Sequence, residues 1–290
     1  MNILVFGGNG FLGSYVVDEL IKHGHKVRIA DLNNFYFSDE IFYFCDVLEQ
    51  EKVNKVISAG FDVVYNFAGF ASLDESINEP YKTLNLNING NINILEACRL
   101  YKIPYYIYAS SAYAMNQKGS FYGVSKLASE KIIEEYQKRF DINFTIIRYG
   151  SVYSERYSEN NYLYKLIKNA IITKSIIHEG DGEEIREYIH ASDAARLSVE
   201  ILSDSRYLNE HVILTGLERM KRIELFEMIK EISRENIEIK LLANGYDHHY
   251  KLTPYQFQPS LSKKLIANPF VDMGQGILEI IKEIKQTDNE

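Results

Sequence analysis

Along the first half of the chain, short apolar runs alternate with longer segments whose apolar residues recur every three to four positions. This is the pattern of strands feeding helices. The runs are NILVFG, KVRIAD, IFYFCD, DVVYNFAG, YYIYAS and NFTIIRYG, with helical spacing at 11–23, 49–59, 80–101 and 121–140. The runs are nearly continuous rather than alternating, as in strands covered on both faces. Six strands separated by helices predict an α/β fold, a doubly wound parallel sheet of the Rossmann type. After Tyr149 the rhythm changes to helix YLYKLIKNAI, strand SIIHEG, helix ASDAARLSVEIL, strand HVILTG, helix RIELFEMIKEIS, strand IEIKLL and helix MGQGILEIIKEIK. The expected division is one domain over 1–150 and a smaller C-terminal α/β lobe over 151–290, with part of 175–215 able to add to the sheet. No repeat or low-complexity linker interrupts this order, and a cleft between the two parts is where a ligand would bind.

Composition narrows the function classes. The chain has 290 residues, 46% of them hydrophobic, enough for a large core, and a net charge of −8. Without a basic run it offers no nucleic-acid surface, because phosphate binding needs clustered Lys and Arg. The chain enters its first strand with no basic stretch and cleavage site before it, and no apolar run approaches the ~18 residues of a membrane span. The expectation is a cytoplasmic protein with no membrane partner. Cys45 and Cys98 sit in apolar runs without Cys or His at ligand spacing, so they read as buried free thiols and no metal site is indicated.

FGGNGFLG follows the first strand and opens the first helix. Gly7, Gly10 and Gly13 have Gly-x-x-Gly-x-x-Gly spacing, and Gly8, Gly10 and Gly13 fit Gly-x-Gly-x-x-Gly. Such a loop gives a tight turn, close backbone approach to a pyrophosphate and a helix N-terminus, here Phe11 and Leu12, to hold the anion. The second strand ends in Asp31, near the ~20-residue spacing at which a carboxylate accepts ribose hydroxyls. That carboxylate would repel a 2′-phosphate, Asn33 and Asn34 add no positive charge, and Arg28 lies inside the strand. The expected cofactor is NAD rather than NADP.

With 22 tyrosines, a Tyr-x-x-x-Lys match is expected by chance, and the chain has two: Tyr122 with Lys126, and Tyr164 with Lys168. Tyr122 follows a strand ending in Ser110 and Ser111, at the sheet edge where ligands bind. One helical turn places Lys126 beside it, where an ammonium can stabilise a phenolate. Tyr164 has no such neighbours and belongs to an ordinary amphipathic face.

These residues resemble the extended short-chain dehydrogenase/reductase family, in particular its NAD-dependent nucleotide-sugar epimerases and dehydratases. The resemblance extends through Asp46 and Val47 after the third strand, NFAG (Phe67, Ala68 and Gly69), Asn87 and Gly90, IIRYGSVY, and GDGEEIREYIHASDAA. It implies Tyr122 as acid/base, Lys126 as its electrostatic partner and a ribose ligand, and Ser111 as the hydroxyl that orients the sugar oxygen. It implies cofactor contacts from Gly7, Gly10, Phe11, Leu12 and Gly13, from Asp31, Asp46, Val47, Phe67, Ala68, Gly69, Asn87 and Tyr149, and substrate contacts from Ser111, Ser151 and Arg186. For Arg186 a salt bridge to Glu183, Glu184 or Glu187 is the competing reading, and His190 reads as a packing or capping residue. The implied activity is epimerisation, at C4 of a nucleotide sugar, by transient oxidation of a hydroxyl. The alternatives are a 4-keto-sugar reductase and a non-catalytic dinucleotide sensor or scaffold. A homodimer through the helices near 80–101 and 121–140 is also implied.

The departures from the pattern concern substrate. Ala114, Met115 and Asn116 stand where Val-Tyr-Gly is usual, and only eleven positions separate Ser111 from Tyr122. The shortened segment is expected to leave the sugar site more open. Ser151 replaces the usual Asn, Ser154 the usual Gly, and Ala71 the lysine common in galactose epimerases. Ala112 and Tyr113 cannot act as the acid and base of a 4,6-dehydratase.

Overall fold

The computed structural model describes residues 1–115, 118–156, 158, 160–217, 219–242, 251 and 263–287. Asn116, one of the departures noted above, lies outside them. The first half runs β1 (Asn2–Phe6), α1 (Phe11–Lys22), β2 (Lys26–Asp31), β3 (Phe42–Phe44), α2 (Gln50–Ile57), β4 (Val63–Asn66), α3 (Leu73–Asn78), α4 (Pro80–Leu84), α5 (Gly90–Leu100), β5 (Tyr105–Ser111), α6 (Ser120–Phe140) and β6 (Asn143–Tyr149). The remainder runs β7 (Ser151–Tyr153), α7 (Tyr162–Thr173), β8 (Ser175–Glu179), β9 (Ile185–His190), α8 (Ala191–Glu200), β10 (Glu210–Leu214), β11 (Arg219–Lys221), α9 (Arg222–Ser233), β12 (Glu238–Leu242), β13 (Lys263–Leu265) and α10 (Met273–Thr287).

The main sheet has eight strands in the order β13-β10-β6-β5-β4-β1-β2-β3, every adjacent pair parallel. The six strands expected from the first half are all in it. Two more come from the second half: β10, which overlaps the HVILTG run, and β13, whose three residues KKL carry little apolar signal. The sheet is covered on both faces, which explains the unbroken apolar runs. Val16, Val17 and Leu20 of α1 join Ala194, Ala195 and Leu197 of α8 on one face. Val53 and Ile57 of α2, Ile94 and Leu95 of α5 and Ile133 of α6 cover the other. Ile3, Leu4, Val5 and Phe6 are fully buried, each side chain contributing roughly 1.5–3 kcal/mol of transfer free energy.

The expected helix over 80–101 is corrected. It starts at Pro80, passes through a wide π turn at Asn85–Asn89 and resumes at Gly90. The polar run NLNIN favours local hydrogen bonding of side chains over a regular ladder. A second core, from Leu163, Tyr164, Ile167, Phe226, Ile229, Ile277 and Ile280, joins α7, α9 and α10. Tyr164 therefore packs in a core, as its spacing implied. Two small sheets, β11-β9-β7 and β12-β8, complete this part.

Strand order reverses at β1, with β2 on one side and β4 on the other. The crevice above the C-terminal ends of β1 and β4 is where this architecture accepts ligands.

Candidate active site

A cavity of about 710 Å³ opens at that crevice. One end is walled by the glycine loop, Asp31, Asp46 and Val47, the middle by Ser111, Tyr122 and Lys126, and the other end by residues of the second part, including Arg186. Gly7 has φ +71°, and a Cβ on it would lie 2.5 Å from the Ala68 nitrogen of the chain leaving β4. A Cβ on Gly13 would lie 2.1 Å from the Gly7 carbonyl. Glycine at both positions lets the loop close onto the start of α1. Gly10 caps α1 without any side-chain hydrogen bond, and Gly10, Phe11, Leu12 and Gly13 line the cavity, so the amide end of the helix borders it. This is the cradle a pyrophosphate requires.

The Asp31 carboxylate accepts from the Asn9 amide at 2.9 Å and the Leu32 amide at 2.7 Å. Burial nevertheless raises its pKa above the ordinary value, the amides of Asn9, Leu32 and Asn33 opposing only in part. Asn9 escaped the sequence reading. Its side-chain oxygen accepts from the Phe35 and Tyr36 amides, each at 3.1 Å, and ties the segment after β2 to the glycine loop. Such a bridge depends on a turn between distant residues and leaves no periodic signal. Arg28 stays within β2 and donates to the neighbouring Val27 carbonyl.

Ser111 ends β5 and accepts from the Tyr113 amide at 3.2 Å. The chain then turns so tightly that a Cβ on Gly123 would lie 2.8 Å from the Tyr113 carbonyl. Glycine in YGVSK thus lets α6 press against the end of the serine strand, bringing Tyr122 to the same wall although the link is short. The Tyr113 and Tyr122 rings meet edge to face, centroids 6.3 Å apart. Lys126 is buried, its Nζ donating to the Ala109 carbonyl at 2.9 Å and lying 5.9 Å from the Tyr122 ring centroid. Burial lowers its pKa to about 8, and the Glu130 carboxylate one turn on opposes that drop. Glu130 is itself fully buried, with a bidentate partner in Arg148 at 3.0 and 2.7 Å and a bond from the Ser110 hydroxyl at 2.5 Å. This second layer beneath the catalytic candidates also escaped the sequence reading.

Of the residues grouped with the cofactor in the sequence, Asn87 alone does not line the cavity. Its amide is spent on both backbone groups of Phe70 and on the Ser125 hydroxyl, so it braces the chain after Gly69 against α6. Tyr149 does line the cavity, its hydroxyl paired with Ser198 at 2.7 Å. Ala71 and Ser151 line it as well, while Ser154 is buried and accepts from the Arg156 amide.

Arg186 sits on β9, about 1% exposed, and lines the cavity. Of the carboxylates weighed as its partners, Glu183 pairs with Lys221, Glu184 meets the His178 ring, and Glu187 pairs with Arg219 and Lys264. Arg222, at the first turn of α9, lines the same end. Nothing in its sequence surroundings marked it. His190 caps α8 by accepting from the Ser192 amide, and its Nε2 meets Glu155 at 3.0 Å. Glu155 also receives the Tyr15 hydroxyl at 2.8 Å, and the His190 contact leads in holding its pKa down at about 2. The Glu155, His190 and Glu279 ligand atoms lie within 4.8 Å of one another. The cap makes Nδ1 an acceptor, so Nε2 carries the proton and offers it to Glu155. Cys45 and Cys98 are both buried and unbridged. Among the described residues no helix is long and apolar enough to cross a membrane.

Residues 3–214 match the model of the NAD dependent epimerase/dehydratase family. A Methanocaldococcus jannaschii protein provisionally named UDP-glucose 4-epimerase is 29% identical over 98% of each chain. The fold is shared with UDP-glucose 4-epimerase from Thermotoga maritima, solved with UDP-glucose (TM-score 0.84, 23% identity, 99% of each chain). It is likewise shared with UDP-glucuronic acid 4-epimerase from Bacillus cereus, solved with UDP-glucuronic acid and NAD (TM-score 0.84, 23% identity, 99% of this chain and 100% of that one). The chain belongs to the NAD dependent epimerase/dehydratase family.

Proposed function

We propose that this member of the family is an NAD-dependent nucleotide-sugar epimerase acting at C4 of the sugar. The observation that carries the reading is that the dinucleotide cradle and the Tyr122–Lys126 pair wall one cavity, with buried arginines at its far end. The UDP-sugar 4-epimerase names of the relatives support the substrate class. Asp31 would accept the adenosine ribose hydroxyls, Asp46 and Val47 would flank adenine, and the amides at Gly10 to Gly13 would hold the pyrophosphate. Phe67, Ala68, Gly69 and Tyr149 would line the remainder of the dinucleotide. NAD held there supplies a reversible hydride acceptor.

Tyr122 takes the proton of the sugar hydroxyl as that carbon is oxidised, and returns it after the other face has been reduced. Lys126 favours the phenolate by its charge and donates to ribose hydroxyls. Ser111 holds the sugar oxygen in line with Tyr122, Ser151 borders the sugar, and Arg186 grips the diphosphate through its forked donors. We assign residues 1–150 to dinucleotide binding and 151–290 mainly to substrate, with β10 and β13 added to the common sheet. The exposed Leu100, Phe121, Val124, Leu127 and Phe140 on or at the ends of α5 and α6 support a homodimer through those helices, and a cytoplasmic location belongs to the same reading.

The test is a panel of UDP-, GDP- and dTDP-sugars assayed for the C4 isomer and for a transient reduced-nicotinamide signal. Isomer formation with the cofactor retained through purification is expected. Turnover that consumes one reduced cofactor per product would mark a reductase and sink the assignment. Tyr122→Phe is expected to bind NAD nearly as before and to lose at least about 10³-fold in turnover, within the range of a lost acid/base group.

A further inference from the structure

The charged residues of the cavity wall are unevenly distributed. Asp31 and Asp46 stand at the dinucleotide end, whereas Lys165, Arg186 and Arg222 belong to the elements of the second part, with Glu179 among them. Antiparallel pairing of β9 and β11 sets Met220 opposite Arg186, and α9 begins two residues later with Arg222. Its amide donates to the Glu184 carbonyl at 3.0 Å, and its guanidinium lies 4.7 Å from the Tyr162 ring centroid. Arg222 is 7% exposed and Arg186 about 1%. Both guanidiniums help lower the pKa of nearby His178, although burial is the larger cause. Both guanidiniums line this end of the cavity, so an anionic ligand lying across it would meet two forked sets of donors.

From this placement we infer that Arg222 works with Arg186 as a two-guanidinium clamp on the diphosphate of the substrate. The inference rests on reading the cavity as a nucleotide-sugar site. Epimerisation makes a particular demand here: the sugar must turn over between the two hydride transfers while the nucleotide stays anchored. A clamp confined to the phosphates holds the pivot and leaves the sugar free. Tyr162 holds the Arg222 guanidinium plane from one side, so its forked donors are positioned before the ligand arrives.

The experiment uses NAD-loaded protein and calorimetric titration with UDP, GDP and dTDP, each beside its nucleoside. For whichever diphosphate the unaltered enzyme binds best, Arg222→Met is expected to weaken binding about 30-fold, the loss of a charge-assisted hydrogen-bond pair. The nucleoside should change by less than about 2-fold. Arg222→Lys, which keeps charge and loses the fork, should fall between, near 5-fold, and carries the test alone if the Met variant does not retain NAD. An equal loss for nucleoside and diphosphate, or no loss for either, overturns the clamp while leaving the proposed function standing. Failure of the unaltered enzyme to bind any of the three diphosphates overturns both.

Discussion

The role proposed for Lys126 places an ammonium in a buried position, and the structure sets the size of the cost in stability. The residue is 6% exposed, and burial lowers its pKa from 10.5 to about 8. At 1.36 kcal/mol per unit, the charged form is about 3 kcal/mol less favourable in the folded than in the unfolded chain. Methionine matches the length of the side chain without the charge. Lys126→Met forfeits the hydrogen bond to the Ala109 carbonyl, worth about 1 kcal/mol. The net expectation at pH 7 is a gain of about 2 kcal/mol in the cofactor-free protein, a rise of roughly 4 °C in Tm. The pH dependence has a definite sign. Between pH 8 and pH 10.5 the folded chain has released the proton while the unfolded chain still binds it, so the stability of the unaltered protein rises with pH relative to the variant. The advantage of the variant should therefore shrink across that window and vanish near its top. Thermal melts of both proteins from pH 6 to pH 10.5, with cofactor removed, make the measurement. A variant no more stable at pH 7, or a difference that does not narrow above pH 8, refutes the reasoning.

Three further changes probe the cradle and its support. Asp31→Ala is expected to shift the NAD over NADP preference by at least about 10-fold toward NADP, because the carboxylate that repels a 2′-phosphate is gone; an unchanged ratio in paired cofactor titrations would count against its assignment. Gly13→Ala puts a methyl group 2.1 Å from the Gly7 carbonyl, and NAD binding should fall by more than about 10-fold as the loop shifts to accommodate it. Glu130→Gln leaves the Arg148 guanidinium buried without its carboxylate, and urea unfolding should show a loss of about 3 kcal/mol; a midpoint within experimental error of the parent would mean that the pair contributes no net stability.

The parallel core was legible because burial on both faces leaves unbroken apolar runs, and β1, β4, β5 and β6 each show one. The candidate chemistry was legible because its spacing is local: the glycine loop spans two turns and Tyr122 stands one turn from Lys126. What escaped the sequence depends on tertiary neighbours. KKL becomes β13 because Val212, Ile213 and Leu214 present an open edge for it to pair with. Asn87 looks like a ligand residue by position, yet folding turns its amide toward Phe70. Arg222 acquires meaning only when β9 and β11 pair, which sets Met220 opposite Arg186 and brings Arg222 in two residues later.

The short link between Ser111 and Tyr122 shows how far geometry constrains function here. With eleven positions the turn must fold back on α6, and the Tyr113 carbonyl then occupies the space where a Cβ of residue 123 would lie, 2.8 Å away. A side chain there would push α6 outward and carry Tyr122 and Lys126 with it. Tyr113 itself becomes part of the cavity wall and stands edge-on to Tyr122. The Ser111, Tyr122 and Lys126 arrangement thus coexists with the short link and leans on two glycines, since a Cβ on Gly119 would likewise lie 2.9 Å from the Tyr113 carbonyl. Tyr113 and the arginine end are the parts of the cavity wall whose positions the Tyr122–Lys126 spacing does not dictate.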